Sequence, residues 1–429
     1  MMPLNIVIIG AGLGGLAAAL SIKQESPHHD VLVVESAPML AEIGAGLQLT
    51  PNATRLLLRW GLKSRLEPLA SSPEEFVVRR YDGKKLLGER QGFAAEMFDK
   101  FGSYYWDMHR ADLQLAMYER AVSLGIRFQF GVLITEINGY LPELTSDKGE
   151  SFTGDLVIAA DGLWSKARSA VSGHPTPPLP TGDLAYRIVL EAKDLKDQEL
   201  LDFTRKSRVC LWVGPGCHAI YYPLRNNSMI NIVLLVPDNL PDNVAKMPGS
   251  ISEMKEIFKS WDPLLRKLLD QVDGVEKWKL MHLHEMEKWY NEDATVVFLG
   301  DACHPMLPYM AQGAGSALED VTTGIGDISE LESTSKYCIT EMEPETGKIT
   351  NIHGRVQKTY TPSQRHVNHL PDGREQEERD RLAASQIHDQ QPGYPFYWID
   401  PAAQQFTYGY DVITELKKIG VEASVMPGL

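Results

Sequence analysis

Two kinds of apolar pattern run along this chain. Short unbroken runs occur at residues 5–9 (NIVII), 31–34 (VLVV), 154–160 (GDLVIAA) and 294–300 (ATVVFLG). They are too short for buried helices and rich in β-branched residues, so they predict strands covered on both faces of a parallel sheet. Elsewhere apolar and polar positions alternate, at 76–81, 184–190, 208–213, 218–224, 229–236 and near 277–283. That period of two predicts strands of a second, largely antiparallel sheet with one open face, and residues 76–104 read as part of it. Helical spacing follows the first run at 16–20 and appears again at 53–60, 108–124 and about 250–271, with strands expected at 126–130 and 132–137.

The buried-strand pattern opens the chain, recurs near 160 and returns near 300, with the alternating block between. This predicts an α/β fold in which a Rossmann-like domain (1–75, 105–175 and 286–385) carries an inserted mixed-sheet domain (76–104 and 176–285). The proline-rich stretch 175–180 marks the crossing. The aromatic run PGYPFYWIDP (392–401) and a short helix near 411–419 make residues 386–429 a C-terminal strap over the domain interface. No internal repeat is visible.

With 429 residues the chain can build two or three cores. Its formal charge of −15 argues against nucleic acid or an anionic membrane as partner, so an anionic small molecule would need locally placed arginines. The four cysteines (Cys210, Cys217, Cys303 and Cys338) form no CxxC pair, which reads as free thiols in a reducing, cytoplasmic setting. His282 and His284 lack a second ligand pair, so no metal site is expected. The apolar start has no basic flank, and no window offers the ~18 apolar residues of a membrane span.

Chemistry concentrates at the ends of the buried strands. Gly10, Gly12 and Gly15 follow the first strand with GxGxxG spacing and lead into a small-residue helix, and the second strand ends in Glu35. Gly10 suits a tight turn, Gly12 a close backbone approach to a pyrophosphate, Gly15 close helix–strand packing, and Glu35 the ribose hydroxyls. Alone, this block predicts a dinucleotide and admits NAD or FAD equally. A second glycine-rich loop around Ala45-Gly46 follows, and Arg110 sits at a helix start, where either a salt bridge to a neighbouring acid or an anionic ligand could hold it. The third strand ends in Asp161-Gly162. The last runs into Asp301, and then Gly313, Ala314 and Gly315 open another helix.

The order and spacing of these three blocks resemble the single-component FAD-dependent aromatic hydroxylases typified by p-hydroxybenzoate hydroxylase. The segments PYMAQG (308–313) and ALED (317–320) are most similar to fungal salicylate hydroxylase-like monooxygenases, a group that includes phenol-dearomatising enzymes of secondary metabolism. The resemblance implies a Rossmann-like FAD-binding domain, with Gly10, Gly12, Gly15, Glu35, Ala45, Gly46, Arg110, Asp161, Asp301, Gly313 and Ala314 on the cofactor. It further implies that Arg187 and Tyr222 hold a phenolate, with Tyr221 the alternative to Tyr222. The implied reaction takes NAD(P)H and O2, reduces FAD, traps oxygen as a flavin hydroperoxide and hydroxylates a phenolic ring, in a monomer or homodimer without metal. A flavin-dependent epoxidase or reductase would share the cofactor motifs. Residues 321–355 depart from the family pattern, being polar and rich in breakers where an apolar-striped helix is expected, so an FAD-binding protein of impaired activity is the other alternative.

Overall fold

The computed structural model describes residues 3–40, 45–138, 142–283, 286, 288–293, 295–324, 356 and 360–418. In chain order the strands are β1 (Asn5–Ile9), β2 (Asp30–Glu35), β3 (Gly46–Leu49), β4 (Glu75–Arg80), β5 (Leu86–Gln91), β6 (Trp106–His109), β7 (Arg127–Phe130), β8 (Ile134–Asn138) and β9 (Glu143–Ser146). There follow β10 (Ser151–Thr153), β11 (Leu156–Ala159), β12 (Leu179–Glu191), β13 (Arg208–Gly214), β14 (Cys217–Leu224), β15 (Met229–Pro237), β16 (Lys246–Pro248), β17 (Glu276–His282) and β18 (Val296–Phe298).

The four unbroken apolar runs lie side by side in one parallel sheet, ordered β18-β11-β1-β2-β7. Alternate residues of each strand enter different cores. Ile6, Ile8, Val31, Val33 and Ile158 pack on one face with the helices Leu13–Glu25 and Arg110–Ser123. Val7, Ile9, Val34, Val157 and Ala159 pack on the other. Burial on both faces is why these strands show no alternation.

The alternating block forms an eight-stranded sheet, ordered β16-β17-β12-β15-β14-β13-β4-β5. It is antiparallel except where β13 and β4 run parallel. One face, including Tyr186, Cys210, Trp212 and Tyr221, is covered by the helices Gln198–Arg205, Ile251–Ile257 and Pro263–Asp270. The opposite face carries Leu211, Ile220, Tyr222 and Leu224 and receives Tyr394, Phe396, Trp398 and Ile399 from the C-terminal strap.

Two local expectations change. Residues 93–101 form a helix (Phe93–Phe101) rather than sheet: Phe93 and Met97, four apart, point into the core while Glu96, Asp99 and Lys100 stay polar. Met108 and His109, expected to open the following helix, instead end the strand Trp106–His109, which pairs with β3 in a separate two-stranded ribbon, and the helix begins at Arg110. The segment that departs from the family pattern lies, beyond Gly324, outside the described residues, as do His284 and Cys338. No described helix is long and apolar enough to cross a membrane.

Candidate active site

A cavity of about 350 Å³ opens between the carboxyl ends of the parallel strands and the strap-facing side of the large sheet. Its cofactor-side wall begins where β1 ends. Gly10 takes φ +103°, and a Cβ there would lie 2.5 Å from the Ala160 carbonyl oxygen, so only glycine makes this turn. Gly12, Leu13 and Gly14 then line the cavity, and a Cβ on Gly12 would meet nothing within 4 Å. Beside them, with Ala317 next to Gly14, Gly313, Ala314 and Ala317 present the start of the helix Gly313–Gly324. Two helix N-termini therefore face one space, each offering backbone N–H groups and partial positive charge.

Ala45 and Gly46 reach the same space through the β3–β6 ribbon. Gly46 pairs with His109, and Arg110 N donates to Ala45 O at 3.0 Å, so the loop and the arginine are fixed as neighbours. Gly46 N donates to Asn231 Oδ1 at 2.9 Å, and a Cβ at Gly46 would lie 2.5 Å from the Tyr222 ring. The loop thus touches the large sheet directly. Arg110 lines the cavity with Asp301. Asp301 faces the opening, yet the protein surrounding it pushes its carboxyl above the ordinary value, and Arg110 partly opposes that shift. Arginine charge and helix dipoles around an uncrowded glycine turn suit an anionic diphosphate, so the residues present fit FAD.

The sheet-side wall follows from strand register. Ala185, Leu235 and His218 form one row across β12, β15 and β14, and Arg187, Val233 and Ile220 form the next. In the third row Asn231 stands opposite Tyr222. All but Asn231 line the cavity. The same alternation sends Tyr221 to the helix-covered face, beside Phe203, so of the two tyrosines Tyr222 is the one that lines the cavity. The Arg187 guanidinium lies over the Trp278 ring, 4.4 Å from its centroid, and its cross-strand neighbour Glu276 contributes a favourable charge. Burial, and secondly the charge of Arg110, lower its pKa. Tyr222 is 5% exposed, and burial first, then Asp107, drives its hydroxyl pKa far up, so it stays protonated and able to donate.

Four sequence-predicted residues do not line the cavity. Gly10 and Gly15 shape the turn behind it. Glu35 accepts from Ala11 N (2.7 Å) and Ala37 N (2.8 Å), bracing the glycine loop. Asp161 Oδ2 accepts from Ala167 N (3.0 Å), while its neighbours Ala160 and Gly162 form the wall.

Sequence reasoning missed several wall residues. Trp398 comes from the strap, Gln48 from the short strand β3 and Tyr309 from a single 3-10 turn (Pro308–Met310), all segments too short for a periodicity to reveal side-chain direction. Tyr309 is anchored because its hydroxyl donates to the buried Asp183 carboxylate, which Arg365 also grips through two nitrogens. Asn52 ties the walls together, donating to Glu319 (2.7 Å) and Gln312 (3.1 Å). Cys303, His304 and Asp320 bring candidate ligand atoms within 4.8 Å of one another. His304 Nε2 meets Asp320 Oδ2 at 2.7 Å, Gly300 N donates to that same oxygen, and burial, reinforced by nearby acids, pushes the Cys303 thiol up, away from a metal-binding thiolate.

Comparison with known proteins agrees with this architecture. Residues 4–330 match the model of the FAD binding domain. The chain is 43% identical over 418 residues to the FAD-dependent monooxygenase OpS4 of Beauveria bassiana (strain ARSEF 2860), covering 96% of each chain. It is 31% identical to the 3-hydroxybenzoate 6-hydroxylase of Klebsiella oxytoca, over 82% of this chain and 88% of that one. A salicylate hydroxylase in complex with substrate superposes with a TM-score of 0.76 over 99% of this chain and all of its own, at 21% identity, which bears on the fold. With three quarters of its length matching that domain and relatives this similar, the chain belongs to the FAD-dependent aromatic hydroxylase family of monooxygenases.

Proposed function

We propose that the protein hydroxylates a phenolic substrate, held as its phenolate, using NAD(P)H and O2, in fungal secondary metabolism. The observation that carries this reading is Arg187, a guanidinium that lines the cavity on the same side of the sheet as Tyr222. A cation in a water-poor cavity favours the ionised form of a phenol, which is the form an electrophilic oxygen attacks. Tyr222, kept protonated by burial, donates a hydrogen bond that orients the ring. The apolar rows Ala185–Leu235 and Val233–Ile220 cover the ring faces and exclude water.

FAD, when bound, supplies the redox chemistry with O2. Gly12, Ala45, Gly46, Arg110, Asp301, Gly313 and Ala314 are the residues that would hold it, with Gly10, Gly15, Glu35 and Asp161 shaping the loops behind. The relative's name, 3-hydroxybenzoate 6-hydroxylase, makes hydroxybenzoates a sensible start for a substrate screen.

The test is NADH and NADPH consumption by FAD-loaded protein over a panel of phenols including 3-hydroxybenzoate and salicylate, with product mass measured. Stimulated consumption with one oxygen added to the ring supports the reading. Equal activity in Arg187→Ala, or turnover indifferent to every phenol, points instead to an epoxidase or reductase.

A further inference from the structure

We propose that Lys246, outside the cavity, is a positioning residue for phenolate binding: it draws the Glu276 carboxylate away from Arg187 and so leaves the guanidinium to the substrate; this deepens the hydroxylase reading above and rests on it. An arginine serves an incoming anion well only when no carboxylate of its own protein has taken up its charge and its donors.

Strand register puts such a carboxylate within reach. Arg187 on β12 and Glu276 on β17 are direct partners in an antiparallel pair, so their side chains leave the same face of the sheet. Directly opposite residues have Cβ atoms about 4.5–5.5 Å apart, and opposite charges placed so ordinarily pair. The edge strand β16 adds a further cation on that face, because Lys246 stands opposite Trp278, which stands opposite Ala185 on its other side. Arg187, Ala185 and Leu280 line the cavity, so this is the cavity face of the sheet, and Glu276, Trp278 and Lys246 continue it outwards to the edge.

The side chains do not take the direct pairing. Arg187 slants onto Trp278, its guanidinium 4.4 Å from the ring centroid, and Lys246 Nζ approaches the same ring from the neighbouring strand, also at 4.4 Å. Glu276 slants the other way. Its Oε2 pairs with Lys246 Nζ at 2.9 Å and accepts from Trp278 Nε1 at 3.3 Å. The Glu276 charge still reaches Arg187, but as the last of four influences, behind burial, Arg110 and Tyr222. Two cations and one acid thus surround one indole, with the acid committed to the outer cation. The Lys246 and Glu276 side chains are 46% and 50% exposed, so their pair contributes little to folding, and its consequence is the direction in which Glu276 points.

Removing Lys246 should release Glu276 to turn inwards, where it would compensate the Arg187 charge and occupy its donors. Lys246→Met does this while keeping an unbranched stem against Trp278. With the phenols that stimulate the FAD-loaded parent, KM, and Kd from titration calorimetry, should rise about three- to fivefold with kcat little changed, which is the range open to an ion pair at a half-exposed edge.

Glu276→Gln separates this role from a simple sum of surface charges. If Lys246 works by holding Glu276, the glutamine should recover the lost affinity in the Lys246→Met background while changing the parent much less. A merely structural loss in Lys246→Met would not be regained through a second substitution. Equal effects of Glu276→Gln in the two backgrounds, or a Lys246→Met protein with the KM of the parent, would overturn the proposal and leave the hydroxylase reading intact. Failure of every phenol to stimulate NAD(P)H consumption by the parent would overturn both.

Discussion

At the scale of single residues, the site depends on which side of a strand each side chain occupies. Arg187 and Tyr222 meet at the cavity because register places them on one face of the large sheet, while Tyr221, a single position away, belongs to the other core. Losing a charge-assisted hydrogen bond costs about 1.5–3 kcal/mol, so Arg187→Ala should lower kcat/KM for a phenol by roughly ten- to a hundredfold. Arg187→Lys should recover part of that, being cationic but unable to form the planar fork. Steady-state kinetics across pH check this, since the loss should fall mainly where the free phenol is protonated. Tyr222→Phe should cost on the order of tenfold, and Tyr221→Phe should leave kinetics unchanged within about twofold. Equal effects from the two tyrosine variants would contradict the face assignment. Gly15 offers a different residue-scale test. A Cβ there would lie 2.0 Å from Gly10 O, so Gly15→Ala should displace the nucleotide loop and yield protein that retains less FAD, read from its absorbance after gel filtration. Gly15 was legible from glycine spacing, a local rule, whereas Arg187 and Tyr222 were reached through the family resemblance, and strand alternation adds only which face of the sheet they share. Tyr309, Asp183 and Arg365 were not legible, since their contacts join residues more than a hundred positions apart and no period encodes such a meeting.

At the scale of elements, the helix Thr361–Asn368 is fastened to the large sheet by the Asp183–Arg365 pair, with Tyr309 completing the cluster. Burial opposes ionisation of Asp183, but hydrogen bonds from Arg365 and Tyr309 outweigh it, leaving the carboxyl below its ordinary value. A depressed folded-state pKa means the stabilisation is complete above the unfolded value of ~3.9 and is lost as pH falls through the folded one. Breaking a buried pair costs about 3–5 kcal/mol, but the Arg365 side chain is 41% exposed, so Asp183→Asn should cost nearer ~2 kcal/mol at neutral pH. The difference between parent and variant should shrink in acid, measured by urea unfolding at neutral pH and below about pH 3. A constant difference would remove Asp183 from the account. Element types were readable wherever burial is uniform or cleanly one-sided, as in β1, β2, β14 and β15. They were misread at residues 93–101, where aromatic residues serve a helix, and at 108–109, which end a strand of the two-stranded ribbon, because β propensity alone could not separate helix from strand.

At the scale of the whole molecule, one cavity is walled by segments from the start, the middle and the end of the chain. Gly12 lies in an early segment, Arg187 in a middle one and Trp398 in a late one, and these segments meet through shared apolar cores as well as hydrogen bonds such as those of Asn52 to Gln312 and Glu319. The recurrence of the buried-strand pattern near residue 300 predicted that early and late segments share a sheet, and β18 pairing with β11 is that sharing. The strap's role was less visible, because aromatic residues in an extended segment carry no period that says which surface they cover. Trp398 in fact closes the cavity wall, and Tyr394, Phe396 and Ile399 fill the core behind Tyr222. A ligand touching all these walls should act as a cross-brace. FAD at about 100 times its Kd should stabilise the protein by roughly 2.7 kcal/mol, and stripping it should lower the thermal midpoint by several degrees. Trp398→Ala should leave that FAD-dependent shift largely in place, since the indole stands on the substrate side, while weakening phenol binding through lost contact and admitted water. Differential scanning calorimetry of the apo and FAD-loaded forms of both proteins, paired with phenol titration, separates the two effects. If Trp398→Ala abolished the FAD shift while leaving phenol affinity unchanged, the strap would belong to the cofactor rather than to the substrate wall.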